Sequence, residues 1–145
     1  MDQIRPWLFI GNLWDTQQLS YLQEYNINAM LQLEEEVKQP GIESYYLPVA
    51  DFAPLKFEHI RQGISFIKEH KQLGNRILVA CAHGINRSSA FCIAALVEDE
   101  RLGILESFKE VNSKHPSAMP IELVWDSICA YYNETVPYVE VLRTF

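Results

Sequence analysis

The sequence predicts an α/β domain with a central, largely parallel sheet and helices on its faces. Three observations lead there. Short apolar runs alternate with stretches of helical period along the whole chain. One of those runs, Ile77 to Ala80, carries no charge at all, as expected of a strand covered on both sides. The helix that follows, Ser88 to Val97, is almost wholly apolar and must be buried against that sheet.

The elements follow in order. Trp7 to Ile10 reads as a strand closed by Gly11 and Asn12. Asp15 or Thr16 is placed to cap a helix whose apolar positions are Leu19, Leu22 and Tyr25. Ile27 to Leu33 is a second strand, and Glu34, Glu35 and Glu36 after it read as a solvated loop reaching Pro40 and Gly41. Ile42 to Val49 is a third strand, ending near Asp51. A helix beginning shortly after Pro54 carries the stripe Ile60, Ile64 and Ile67 to about Lys71, and Gly74 and Asn75 end it. After Ile77 to Ala80 comes a compact loop from Cys81 to Asn86, then the buried helix. Leu102 to Lys114 and Ile121 to Tyr132 are two further helices, with Pro116 and Pro120 between them.

No repeat, linker or low-complexity segment divides the 145 residues, so residues 1–145 are expected to form one domain. The formal net charge of −7 argues against a nonspecific nucleic-acid binder, which needs a basic face. No apolar run approaches the roughly 20 residues that span a bilayer, and Met1 to Phe9 does not read as a signal peptide. The expectation is a cytoplasmic protein with no membrane association. Three widely spaced cysteines, Cys81, Cys92 and Cys129, make no disulfide framework and no zinc-binding pair, so no metal or cofactor is expected. Cys92 and Cys129 lie in apolar surroundings and read as core residues.

Cys81 is set differently. The segment Cys81-Ala-His-Gly84-Ile-Asn-Arg87-Ser88 joins a buried strand to a helix through a tight loop. A loop entering a helix N-terminus points several backbone N–H groups at one spot, and the helix dipole adds positive potential there. Ala82, His83, Gly84, Ile85, Asn86 and Arg87 are therefore the candidate phosphate-binding residues. The same field stabilises a thiolate, which makes Cys81 the candidate nucleophile. Gly84 lets the loop curl. Arg87 can grip two phosphate oxygens with its planar fork, and Ser88 can donate a hydrogen bond to the sulfur.

The Cys-x5-Arg-Ser sequence with Gly84 resembles the phosphate loop of the cysteine-dependent protein tyrosine phosphatase superfamily, and most of all its small dual-specificity phosphatases. The likeness runs along nearly the whole chain: Ile4 to Leu13 resembles the opening strand of that family, Tyr21 to Leu33 its first helix and next strand, Arg87 to Leu96 its central helix, and Glu106 to Pro116 the helix after it. The resemblance implies a protein phosphatase working through a phosphocysteine on phosphorylated protein substrates, on phosphotyrosine and also on phosphoserine or phosphothreonine. It also implies a general acid, an aspartate about thirty residues before the cysteine on a loop after a strand. Asp51 stands there, so the catalytic set is Cys81, Arg87, Asp51 and Ser88.

The chain leaves the family pattern at Ala80, where the family usually has a histidine that supports the loop beside the cysteine. The same departure keeps open a phosphate-binding pseudophosphatase. His83 and Asn86 give Cys-x-His-Gly-x-Asn-Arg, which resembles the loop of the superfamily's RNA 5′-triphosphatases, so an RNA 5′-phosphatase is the second enzymatic reading. A rhodanese-like sulfur transferase fits less well, because Asp51 and the N-terminal match suit a phosphatase.

Overall fold

The computed structural model describes residues 1–145. One sheet carries five strands in the order β1-β2-β5-β3-β4. They are β1 (Asp2–Arg5), β2 (Leu8–Asn12), β3 (Ala29–Gln32), β4 (Glu43–Tyr46) and β5 (Ile77–Cys81). Strands β2, β5, β3 and β4 are parallel; β1 runs antiparallel to β2. β1 was not expected, because Asp2-Gln-Ile-Arg offers only one inward apolar residue, Ile4. It is an edge strand held by its hairpin to β2.

β5 is central and fully buried along its length. It pairs with β2 in the register Leu8↔Ile77 to Asn12↔Cys81, and with β3 in the register Ala29↔Ile77 to Gln32↔Ala80. The order reverses here: earlier strands lie on both sides of β5. Open parallel sheets bind ligands at such a switch point, beyond the carboxyl ends of the strands. Cys81 is the last residue of β5.

The helices are α1 (Leu13–Thr16), α2 (Leu19–Glu24), α3 (Phe57–Gln72), α4 (Arg87–Glu100), α5 (Ile104–Lys114), α6 (Glu122–Tyr131) and α7 (Val139–Leu142). The larger core packs Ile10, Leu31 and Val79 of the sheet against α3 to α6. A smaller cluster of Phe9, Leu22, Ile27, Met30, Leu78 and Ala80 faces α2. Every residue of α4 from Arg87 to Leu96 is buried, as its composition required.

Two local expectations differ. The cap near residue 15 is Asn12: its side chain accepts from the Asp15 N–H, and the Asp15 carboxylate accepts from the Asn12 N–H. The pair closes a capping box on the one-turn α1, and α2 then starts separately at Leu19 with no side-chain cap. The C-terminal segment contains the short helix α7, which the sequence pattern did not reveal. Cys92 and Cys129 are buried, as expected. No helix is long and apolar enough to cross a membrane.

Candidate active site

The carboxyl ends of four parallel strands deliver the site. β5 ends on Cys81, β3 leads into Glu34, β4 leads through Val49 to Asp51, and β2 ends at Asn12. The loop from Cys81 to Asn86 curls over the last of these. Gly84 has φ +70°, and a Cβ there would meet the Gly11 carbonyl oxygen at 2.9 Å, so no other residue fits without moving β2.

Within the loop, the backbone amides of Ala82, His83, Gly84, Ile85 and Asn86 donate to no protein acceptor. Its carbonyls are occupied from outside. The Leu13 N–H donates to Ala82 O (3.4 Å) and the Met119 N–H to Ile85 O (2.9 Å). Ser89 Oγ donates to Ile85 O and to Asn86 O at 2.6 and 2.8 Å. A run of unpaired amides leading into the uncapped N-terminus of α4 is an anion-binding arrangement.

Cys81 is 3% exposed, and its Sγ lies 3.1 Å from Ser88 Oγ. A thiolate there accepts the Ser88 hydroxyl hydrogen. Arg87 is 2% exposed. Its Nη1 donates to the Val49 carbonyl (2.8 Å) and to Glu34 Oε2 (3.1 Å), and its Nη2 lies 3.5 Å from Asp51 Oδ2. The buried Nε has no partner in the protein. An unpartnered buried guanidinium nitrogen is costly unless something accepts its hydrogen. Glu34 therefore does not belong to a merely solvated loop, as expected from the sequence; it orients the arginine. Its place directly beyond a strand of a parallel sheet was the available signal.

Asp51 is brought to the same place. Its Oδ1 accepts from the Phe52 N–H (3.0 Å) and from Asn86 Nδ2 (2.9 Å). The other end of the Asn86 side chain, Oδ1, accepts from the Ile121 N–H at 2.8 Å. The Asn86 side chain thus ties the Asp51 loop to α6. Phe52, next to Asp51, holds φ 55°, a left-handed conformation that bulky residues avoid.

Around Cys81 is a cavity of about 270 Å³ lined by Asp51, Phe52, His83, Ile85, Asn86, Met119, Ile121 and Tyr138. Its walls are mainly apolar, and His83 is the one basic side chain beside them. Tyr138 brings the C-terminal segment into this wall, with its hydroxyl donating to the Pro120 carbonyl at 2.6 Å. Burial and, less, the nearby Glu122 push the Tyr138 phenol upward. All nine residues named from the sequence, Asp51 and Cys81 to Ser88, come together here. Glu34, Ser89, Phe52, Met119 and Tyr138 are additions that sequence spacing did not single out.

The dual specificity phosphatase catalytic domain matches residues 8–134 of this chain. Human dual specificity protein phosphatase 5 is 23% identical over 139 residues, covering 93% of this chain and 36% of that protein. Mouse dual specificity protein phosphatase 2 is 30% identical over 122 residues, covering 81% of this chain and 38% of that protein. The chain thus spans a little over a third of the length of these relatives. Among solved structures, human DUSP28 superposes with a TM-score of 0.85 at 23% identity, covering 92% of this chain and 96% of that one. A human tyrosine phosphatase-like serine/threonine/tyrosine-interacting protein gives the same TM-score and identity over 92% and 95%.

Proposed function

The chain belongs to the dual specificity phosphatase family, and on that premise we propose that it hydrolyses phosphomonoesters on proteins through a phosphocysteine. The observation that carries the reading is the set of donors around Cys81: five loop amides and the Arg87 Nε, all without protein acceptors. Three peripheral phosphoryl oxygens need about that many donors, held in place before reaction.

In this mechanism the Cys81 thiolate attacks phosphorus in line with the ester oxygen. The loop amides and Arg87 hold the phosphoryl oxygens, and Asp51 gives its proton to the departing alkoxide or phenoxide. Water then attacks the phosphocysteine, Asp51 takes a proton from that water, and inorganic phosphate leaves. The electron pair of the S–P bond returns to Cys81, where Ser88 Oγ receives it with a hydrogen bond. Residues 1–145 act as one catalytic domain, and no step needs a metal ion.

The apolar wall of the cavity favours a phosphorylated side chain over a polyanionic RNA end. The RNA reading rested on His83 and Asn86, and the Asn86 side chain is already committed to Asp51 and Ile121. Turnover assays on phosphotyrosine peptide, phosphothreonine peptide and RNA 5′-triphosphate, without added metal, test the proposal. Peptide dephosphorylation that vanishes in Cys81→Ser is expected; faster release from RNA would overturn the substrate class.

A further inference from the structure

One short segment, residues 115–121, grips three successive residues of the phosphate loop from outside. His115, which follows α5, brings Nε2 to 2.7 Å from the Gly84 carbonyl oxygen. The Met119 N–H donates to Ile85 O (2.9 Å), and the Ile121 N–H donates to Asn86 Oδ1 (2.8 Å). The Gly84 oxygen can only accept, so Nε2 carries the hydrogen in this contact. The other ring nitrogen, Nδ1, lies 2.6 Å from Asp2 Oδ2 on β1, and Ser117 Oγ lies 3.1 Å from Nε2. A carboxylate can only accept, so the half-buried ring makes the Asp2 and Gly84 contacts together with a hydrogen on each nitrogen, and the two contacts hold its plane.

The carbonyl matters because of what lies across its peptide. In a trans peptide, the C=O of one residue and the N–H of the next point in opposite directions, and no peptide here is cis. Holding the Gly84 carbonyl outward turns the Ile85 N–H inward, among the five amides without protein acceptors. The peptide after Gly84 is also the one that most needs holding. Glycine at φ +70° has no side chain to restrict it, so this peptide plane can rotate more freely than its neighbours. Ile85 and Asn86 carbonyls are tied by Ser89 as well as by backbone groups. For the Gly84 carbonyl, His115 is the donor.

We propose that His115 is a positioning residue of the phosphate loop: it holds the Gly84 carbonyl and so aims the Ile85 amide at the phosphoryl oxygens, with Asp2 steadying the ring. The inference rests on the phosphatase reading of the Cys81 loop. It also gives the loop a histidine support on the face opposite to the position where Ala80 stands.

The test compares wild type, His115→Ala and His115→Gln for kcat and KM on an aryl phosphate, for vanadate affinity, and for thermal melting. The Gln amide nitrogen reaches about where Nε2 lies. Expected for His115→Ala is a ten- to hundredfold loss of kcat, since one fixed donor to a developing oxyanion is worth about 10²–10³. Vanadate affinity should fall in step, with KM changed less than about threefold, and His115→Gln should recover most of both. Loss of melting temperature alone, with kcat and vanadate affinity intact well below the melt, would overturn the proposal. So would equal defects in the Ala and Gln variants. If His115→Ala does not fold, His115→Asn takes its place: it stays polar but is too short to reach Gly84, and normal kcat there refutes the role. A wild type that turns over no phosphoester defeats the parent reading instead, and vanadate calorimetry across the same variants still reads the His115 effect separately.

Discussion

Asn86 offers the sharpest division between two roles, because its side chain and its backbone do different things. The perturbation is Asn86→Ala. The substitution keeps the loop amide but removes the tie from Asp51 Oδ1 and the acceptor for the Ile121 N–H. The half-buried Ile121 amide left without a partner costs about 1–3 kcal/mol, or a melting temperature lower by roughly 2–10 °C for a domain of this size. The larger effect is on the acid. A well-placed general acid contributes about 10²–10⁴-fold to expulsion of a poor leaving group, and a freed Asp51 keeps only part of that. On a phosphothreonine peptide kcat/KM should fall about ten- to hundredfold, since threonine leaves as an alkoxide that must be protonated. On p-nitrophenyl phosphate, whose leaving group needs little protonation, the loss should stay within about threefold. Asn86→Asp is the harsher variant: it keeps an acceptor for Ile121 but puts a carboxylate where Nδ2 sits, 2.9 Å from Asp51. Two such charges repel by about 6 kcal/mol at an effective dielectric of 20. Full activity of Asn86→Ala on the phosphothreonine peptide would refute the reasoning. Equal losses on both substrates would return Asn86 to the phosphate site itself.

Cys81→Ser should abolish turnover yet still bind phosphate or vanadate, by calorimetry, because the donors remain; residual turnover above the buffer rate would end the covalent mechanism. Arg87→Lys should cost about 10²–10³ in kcat, since lysine cannot serve Val49, Glu34 and a phosphoryl oxygen from one planar fork; steady-state kinetics with near-normal kcat would move the clamp elsewhere. Burial pushes the Cys92 thiol far upward, so iodoacetamide should label Cys81 in the folded protein and Cys92 only in denaturant, as read by mass spectrometry. Burial first, then the hydrogen bond to Glu98 (2.8 Å), raises the Tyr132 phenol. The fold therefore favours neutral Tyr132: this stability is complete below the free tyrosine value of about 10 and is lost as pH rises beyond it. Tyr132→Phe should flatten the decline of melting temperature above that pH, though Tyr21 and Tyr138, also raised, keep some slope.

The parts of the site readable from the sequence are those whose chemistry is contiguous. Strand, loop and helix from Ile77 to Leu96 form one run, and each residue in it constrains the next. Asp51 was readable through the family resemblance, which places an aspartate about thirty residues before the cysteine on a loop after a strand. Glu34 was not, because its partner Arg87 lies 53 residues away and three consecutive glutamates look like any exposed loop. His115 and Tyr138 were hidden for the same reason: they reach the loop only once α5 and the C-terminal segment have packed. The missed elements, β1, α1 and α7, span 4 residues each and bury few apolar side chains, so no hydrophobic period marks them. Asn12 replaced Asp15 as a cap because both partners of a capping box are polar and only geometry says which one leads.

Ala80 is the departure from the family that bears most on activity, and its neighbours explain why alanine fits. The side chain is 2% exposed and packs with Phe9, Leu22, Ile27, Met30 and Leu78. The nearest polar side chain in register, Gln32 on β3, is already engaged at both ends: its Nε2 donates to the Val37 carbonyl (2.7 Å) and its Oε1 accepts from the Val37 N–H (2.9 Å). On the other side the register partner of Ala80 is Gly11 of β2, over which the Asp15 carboxylate closes, 2.5 Å from where a Cβ would stand; that carboxylate is itself engaged by the Asn12 N–H and the Met1 amine. Loop support comes instead through the outward carbonyls, from Leu13, Ser89, Met119 and His115. These contacts act on the amides that face the phosphate, while Ser88 stays with the sulfur. The loop is thus held at Ala82, Gly84, Ile85 and Asn86 by contacts that do not pass through the residue before Cys81.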